Sequence, residues 1–255
     1  MARSQLTVDL GAIRRNAATL LRVLDGAELW AVVKADGYGH GAADVGAAAI
    51  AAGASALCVA TVPEALALRR TLVEARILVL GPASAEEVKE AREARLELVA
   101  VAGDTPDGVP VHLKLDTGMG RWGLAELPAP GRDVVGLMSH FASADCDDAF
   151  TRLQIERFRA ATEPFPHLTR HLANSAGALR FPDARLDAAR CGIALYGVSP
   201  FGTSAGDDGL EPALRWESEL AQVKLLQPGE STGYGRRWVA ERPTWIGRAS
   251  CRERV

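Results

Sequence analysis

The sequence predicts a (β/α)8 barrel followed by an incomplete β domain. Eight short apolar runs recur before residue 191, helical stretches separate most of them, and after residue 210 the chain turns strand-like with no helical period. The residues able to do chemistry cluster just after those runs, at the barrel end where active sites lie.

The chain opens on Met1-Ala2-Arg3-Ser4-Gln5, which reads as leading straight into an amphipathic helix over 9–24 with Asp9 as its N-cap. Strands are expected at 29–33, 56–60, 77–80, 96–101, 111–115, 134–139, 168–172 and 186–190. Between them, helices are expected over 42–52, 63–74, 84–94 and 147–162; the last three begin with a cap residue or a first-turn proline. Between the fifth and sixth strands only 124–127 is apolar, and prolines follow, so that connection is expected to be short and irregular.

Residues 200–209, rich in Gly, Ser and Asp, read as a linker. Beyond it come a strand-like stretch over 214–226, a turn at Gln227-Pro228-Gly229-Glu230 and a second strand-like stretch over 231–241. The expected division is a barrel over 1–205, the start of a β domain over 206–245 and a foreign tail over 246–255. About thirty-five residues cannot bury a core of their own, so they pair with another chain or the domain is cut short. The last ten residues resemble the translation of a sequencing adapter, which favours a truncated β domain. A chain ending there is expected to be poorly active.

Composition excludes several function classes. A net charge of −3 and a pI near 6.0 offer nucleic acid no basic patch. The Ala-rich span 42–60 carries Asp44 and glycines, which argues against membrane insertion, and no signal peptide precedes the first helix. Cys58, Cys146, Cys191 and Cys251 show neither CxxC nor metal-ligand spacing, so a reduced, cytoplasmic protein without a metal is expected.

Lys34 ends the apolar run Leu29-Trp30-Ala31-Val32-Val33 and opens the glycine-rich Ala35-Asp36-Gly37-Tyr38-Gly39-His40-Gly41. An amine partly desolvated at a barrel mouth is nucleophilic toward aldehydes, although the position also suits a lysine that snorkels to water. Further candidates follow later strands: Lys114 and Asp116-Thr117-Gly118-Met119-Gly120-Arg121, then Ser139-His140-Phe141, Asn174-Ser175 and Arg190-Cys191-Gly192-Ile193. From the residues alone His140 suits a core histidine equally well, Lys114 an ion pair with Asp116, Ser175 a helix N-cap and Tyr234 a tyrosine packed in a sheet turn.

Residues 31–41, 112–121, 139–142, 174–175 and 190–197 occur in one order, and together with Gly233-Tyr234-Gly235 they closely resemble the alanine racemases, a family dependent on pyridoxal 5'-phosphate. The resemblance covers about residues 6–239. It implies that Lys34 holds the cofactor covalently and then serves as one of two catalytic bases. Tyr234 would be the second, reaching the partner subunit's barrel across a homodimer. Two bases suit the chemistry, since inverting Cα needs a proton taken from one face and returned on the other.

By the same resemblance Arg190 faces the pyridine nitrogen, Tyr38 lies beside the phosphate, and Asn174, Ser175, Gly192 and Ile193 bind around it. Arg121 meets the cofactor's phenolic oxygen and the substrate carboxylate, Lys114 is a lysine often carbamylated in the family, and His140 packs on the pyridine ring. A guanidinium can only donate, so Arg190 would leave the ring nitrogen unprotonated, which favours proton shuffling over harsher bond cleavage. The function implied is interconversion of L- and D-alanine, supplying D-alanine for peptidoglycan. Alternatives are a barrel-type cofactor carrier, which would need no Tyr234; a decarboxylase, which would put an acid where Arg190 stands; and a racemase of serine or of several amino acids.

Overall fold

The computed structural model describes residues 4–102 and 105–249. Asp9–Ala213 forms one compact unit, and the chain before and after it forms a second. In chain order the elements begin with β1 (Ser4–Val8), α1 (Leu10–Leu24), β2 (Glu28–Val32), a left-handed turn α2 (Lys34–Gly39), α3 (Ala42–Ala51), β3 (Ala56–Val59), α4 (Val62–Arg69), β4 (Ile77–Val79), α5 (Ala85–Glu93) and β5 (Glu97–Ala100). β6 (Val111–Lys114), β7 (Val134–Met138), α6 (Asp148–Thr162), β8 (Thr169–His171), α7 (Ser175–Arg180) and β9 (Ala188–Cys191) complete the first unit's regular elements.

Strands β2 to β9 close into a parallel barrel, with Trp30 of β2 paired to Arg190 of β9 at the seam. All eight expected strands are present. Most of their runs are apolar because both faces are covered, one by helices and one by the barrel interior, and β3, β4 and β6 are buried at every position; β6, β8 and β9 nonetheless carry His112 and Lys114, Arg170 and His171, and Arg190. The helices start where their caps dictate. Asp9 accepts from the Ala12 amide at 3.1 Å, and Thr61 with Glu64 and Ser84 with Glu87 form reciprocal capping boxes. α1 buries Ile13, Ala17, Leu20 and Leu24, one face at helical spacing.

α4 stops at Arg69, short of the expected end at residue 74. The Arg69 guanidinium donates to the carbonyls of Leu72, Val73 and Ala75 and to those of Ala94 and Arg95, holding the chain after it as a turn. Between β6 and β7 the only regular pairing is a bridge from Leu115 to Leu124; the connection is irregular, as expected, but not short, running from residue 115 to residue 133. The segment read as a linker over 200–209 contains a short 3-10 turn, Ala205–Asp208. Asn16, buried on α1, bonds the backbone of Glu211 in both directions and also Leu195, which ties the chain up to Ala213 into the barrel unit.

The second unit is all β. β1 pairs antiparallel with β10 (Leu214–Ser218), β11 (Leu220–Leu226) with β14 (Thr244–Ala249), and β12 (Ser231–Thr232) with β13 (Trp238–Val239). Four expectations change here. The stretch 231–241 is not one strand but the two short strands β12 and β13, paired with each other across a 3-10 turn at Tyr234–Arg236. The polar start does not lead straight into the helix, because Ser4–Val8 is a strand whose pairing lies more than two hundred residues away, from Ser4 to Ser218. The stretch 214–226 is two strands with different partners, divided at Glu219. The foreign tail expected from residue 246 does not begin at an element boundary: β14 runs on to Ala249, with Ile246 opposite Lys224 and Gly247 opposite Val223. The rest of that tail, including Cys251, lies outside the described residues.

Candidate active site

Lys34 stands at the carboxyl end of β2, where the backbone turns left-handed. Ala35, Asp36, Gly37 and Tyr38 all have positive φ, between 51° and 63°. Only the glycine adopts this region freely; the other three cost about 1–2 kcal/mol each, so the surroundings must hold the turn. They do so through two carboxylates. Glu64 accepts from the Ala35 amide at 2.7 Å through Oε1 and from the Ala60 amide at 2.7 Å through Oε2, and Asp36 accepts from Ala42 at 2.8 Å. Tyr38 is thereby brought back over the mouth, its ring centroid 5.9 Å from the Lys34 amine and 4.9 Å from the Tyr196 ring.

After β6, the Asp116 carboxylate collects the amides of Gly118, Met119 and Gly120 at 2.8–3.2 Å, curling the loop that presents Arg121 and Trp122. Lys114 and Arg121 approach the Trp122 ring to 5.8 and 5.5 Å. Burial, together with the Arg121 and Arg190 charges, pushes the Lys114 amine down to about 8. The Asp116 carboxylate is therefore occupied chiefly by backbone amides rather than by Lys114.

Arg190, buried on β9, spends its donors inward. Nη2 donates to Ser139 O at 2.6 Å, to Leu172 O at 3.2 Å and to His140 Nδ1 at 3.3 Å, while Nη1 donates to His171 O at 2.8 Å and His171 Nδ1 at 2.6 Å. Since guanidinium cannot accept, His140 Nδ1 accepts and the His140 hydrogen sits on Nε2. Burial, and then the positive charges of Arg190, Arg121, Lys114 and Lys34, lower His140 to about 3 and keep it neutral. Burial also lowers Arg190 to about 10, still protonated at neutral pH.

Asn174 is the N-cap of α7, accepting from the Gly177 amide at 2.9 Å. The cap role open to Ser175 therefore belongs to its neighbour. Ser175 Oγ instead accepts from the amides of Gly192 and Ala194, at 3.1 and 3.3 Å, so two backbone donors converge beside a helix start. Gly192 leaves room for Tyr38, because a Cβ there would lie 2.6 Å from the Tyr38 hydroxyl and push that ring aside.

Two cavities meet at Lys34, His140 and Arg190. One, of about 400 Å³, is also lined by Tyr38, Asn174, Ser175, Gly192 and Ile193; the other, of about 460 Å³, by Lys114, Arg121 and Trp122. Ten of the expected site residues thus line one continuous mouth, whose only carboxylate among the lining residues is Asp145. Tyr234 lies elsewhere: it opens a 3-10 turn (Tyr234–Arg236) of the second unit, with its side chain fully exposed. Sequence reasoning missed Glu64, whose signal was the Thr61-x-x-Glu64 capping box, and the buried histidines His171 and His112, which carried no local signal. Among the described residues no group of His, Cys, Asp and Glu could hold a metal ion, and no helix is long and apolar enough to cross a membrane.

A closed parallel barrel with a strand-end lysine beside Lys114, Arg121 and Arg190 at its mouth has the architecture of a (β/α)8-barrel enzyme. The family models for the alanine racemase N-terminal domain and C-terminal domain match residues 8–200 and 213–251. The alanine racemase of Beutenbergia cavernae is 42% identical over 272 residues, covering 94% of this chain and 72% of that protein. Among solved structures, the biosynthetic alanine racemase of Pseudomonas aeruginosa superposes with a TM-score of 0.89 at 38% identity, over 98% of this chain and 76% of that one. The alanine racemase of Bartonella henselae, solved with covalently bound pyridoxal phosphate, superposes with a TM-score of 0.85 at 25% identity, over 98% of this chain and 76% of that one. The chain belongs to the alanine racemase family.

Proposed function

We propose that this protein is a pyridoxal phosphate-dependent racemase that interconverts L- and D-alanine, supplying D-alanine for peptidoglycan. The observation that carries the reading is the Lys34 amine at the end of β2, in a mouth shared with the buried Arg190 and with Ser175, whose Oγ gathers the amides of Gly192 and Ala194. This donor set fits the cofactor. An aldehyde needs an amine, a phosphate needs polar groups gathered near a helix start, as Ser175 is, and His140 lines the same mouth. When bound, pyridoxal phosphate makes the Cα proton of an amino acid acidic by spreading the resulting negative charge through its ring.

The chain's own residues would supply the rest. Lys34 would hold the cofactor covalently, then take or return the Cα proton on one face, and Tyr234, provided by a second copy in a homodimer, would serve the other. Arg190, already committed as a donor to Ser139, Leu172 and His171, has no lone pair to offer the ring and would keep its nitrogen unprotonated. Tyr38, Asn174, Ser175, Gly192 and Ile193 would surround the phosphate, and Arg121 would receive the substrate carboxylate as a fork. The Lys114 amine, lowered to about 8, has more of its neutral form than an ordinary lysine and is suited to take up carbon dioxide as a carbamate, releasing a proton and offering Arg121 an anion.

The dimer is supported by the exposed apolar side chains of Trp216, Leu220, Val223 and Trp245 in the second unit. Arg190 argues against the decarboxylase alternative, and the match of the C-terminal domain model argues against a carrier confined to the barrel. The test is chemical. After incubation with pyridoxal phosphate and borohydride reduction, peptide mapping should place the adduct on Lys34, and Lys34→Ala should lose it. An adduct on Lys89, Lys114 or Lys224 would overturn the assignment.

A further inference from the structure

A row of polar groups runs through the barrel interior away from the mouth. Arg190 Nη1 lies 2.6 Å from His171 Nδ1, His171 Nε2 lies 2.8 Å from His112 Nδ1, and His112 Nε2 lies 2.8 Å from Glu97 Oε2. The other oxygen, Glu97 Oε1, accepts from Arg76 Nε at 2.7 Å. Glu97 opens β5 whereas Lys34 follows the end of β2, so in a parallel barrel the row spans from one end to the other.

The direction of every link is fixed by its ends. A guanidinium only donates, so His171 Nδ1 accepts and its hydrogen sits on Nε2; His112 Nδ1 must then accept, and its hydrogen on Nε2 points at a carboxylate that only accepts. Both imidazoles are fully buried, and burial lowers the pKa of each, which leaves them neutral. The path is also built sterically. The Trp30 ring packs 4.4 Å from His171 and 5.7 Å from His112, and a Cβ at Gly136 would lie 2.2 Å from His112 Nδ1. Residue 136 is glycine because the relay passes there.

We propose that Glu97 is a positioning residue for Arg190, acting across the barrel through His112 and His171, whose tautomers it fixes. Both Glu97 oxygens are needed as acceptors, one for Arg76 and one for His112. An amide at position 97 has only one. With that oxygen held by the charged Arg76, its NH2 group faces His112 Nε2, which must then accept. The hydrogens of both histidines move to Nδ1, and His171 meets Arg190 donor against donor. Arg190 would be pushed from its carbonyls and so moved at the mouth, although no residue lining the mouth has been substituted.

The experiment is 15N NMR of the full chain labelled at histidine, read alongside the affinity for pyridoxal phosphate. In the unsubstituted protein His112 and His171 should both carry hydrogen on Nε2 and a bare Nδ1. Glu97→Gln should reverse both and weaken pyridoxal phosphate binding by about tenfold, the effect of one misdirected buried hydrogen bond. In Arg76→Met with Glu97→Gln the amide oxygen is free to turn to His112, and both readouts should return. A protonated His171 Nδ1 in the unsubstituted protein, or unchanged tautomers in Glu97→Gln, would overturn the proposal. The link to catalysis rests on Arg190 facing the cofactor ring. The tautomers are read without cofactor, so a relay that responds while no adduct forms on Lys34 would sink the functional reading and leave the relay standing.

Discussion

At the scale of single residues, the site works by placing positive charge where water is scarce. Lys114 is the clearest case. Its amine is lowered to about 8 from an ordinary 10.5 by burial and by its arginine neighbours. Between those values the unfolded chain holds a proton that the folded chain has released, so this group's contribution to stability rises as pH climbs from about 8 toward 10.5. In carbonate-free buffer, urea denaturation of Lys114→Met should therefore show a smaller stability gain between pH 8 and 10 than the unsubstituted protein. An equal gain would mean that the amine is not desolvated. Lys34 stood out by its place after an apolar run, whereas Lys114, Arg121, His140 and Arg190 stood out chiefly through the runs that resemble the family, since from the residues alone Lys114 suited an ion pair and His140 a core histidine. Glu64, His171, His112 and Glu97 were not, because their roles arise from partners on other strands: His171 is 59 residues from His112.

At the scale of elements, the decisive piece is the left-handed turn after β2. Its strain is spread over Ala35, Asp36 and Tyr38, and it persists because Glu64 and Asp36 bond the amides that the turn exposes. Gly37→Ala would add a fourth strained residue and bring a Cβ to 3.2 Å from the Ala42 backbone. The expected cost is about 1–2 kcal/mol, measured as a shift in the denaturation midpoint. Unchanged stability would show that the turn is not held as described. The barrel strands and capped helices were readable because buried parallel strands are mostly apolar and caps use few residue types. The left-handed sense of α2 was not, since nothing in Ala35-Asp36 demands positive φ locally. β1 escaped for a related reason: five residues, mostly half-exposed, acquire strand character only from a partner at the far end of the chain.

At the scale of the whole molecule, the barrel unit holds its site in its own frame, while the second unit carries Tyr234 on an exposed turn. The proposed division of labour follows: one copy's barrel binds cofactor and substrate, and a second copy's Tyr234 completes the proton transfer. The central claim is inversion at Cα, and the most direct measurement follows that bond. Full-chain protein loaded with pyridoxal phosphate would be incubated in deuterated water with L-alanine, L-serine and other L-amino acids, and the products resolved by chiral chromatography with mass detection. The account predicts D-alanine carrying deuterium at Cα, at the low rate expected of this chain, and formed faster from alanine than any other enantiomer from its parent. Release of carbon dioxide, or no deuterium in either enantiomer while Lys34 carries the cofactor, would contradict it.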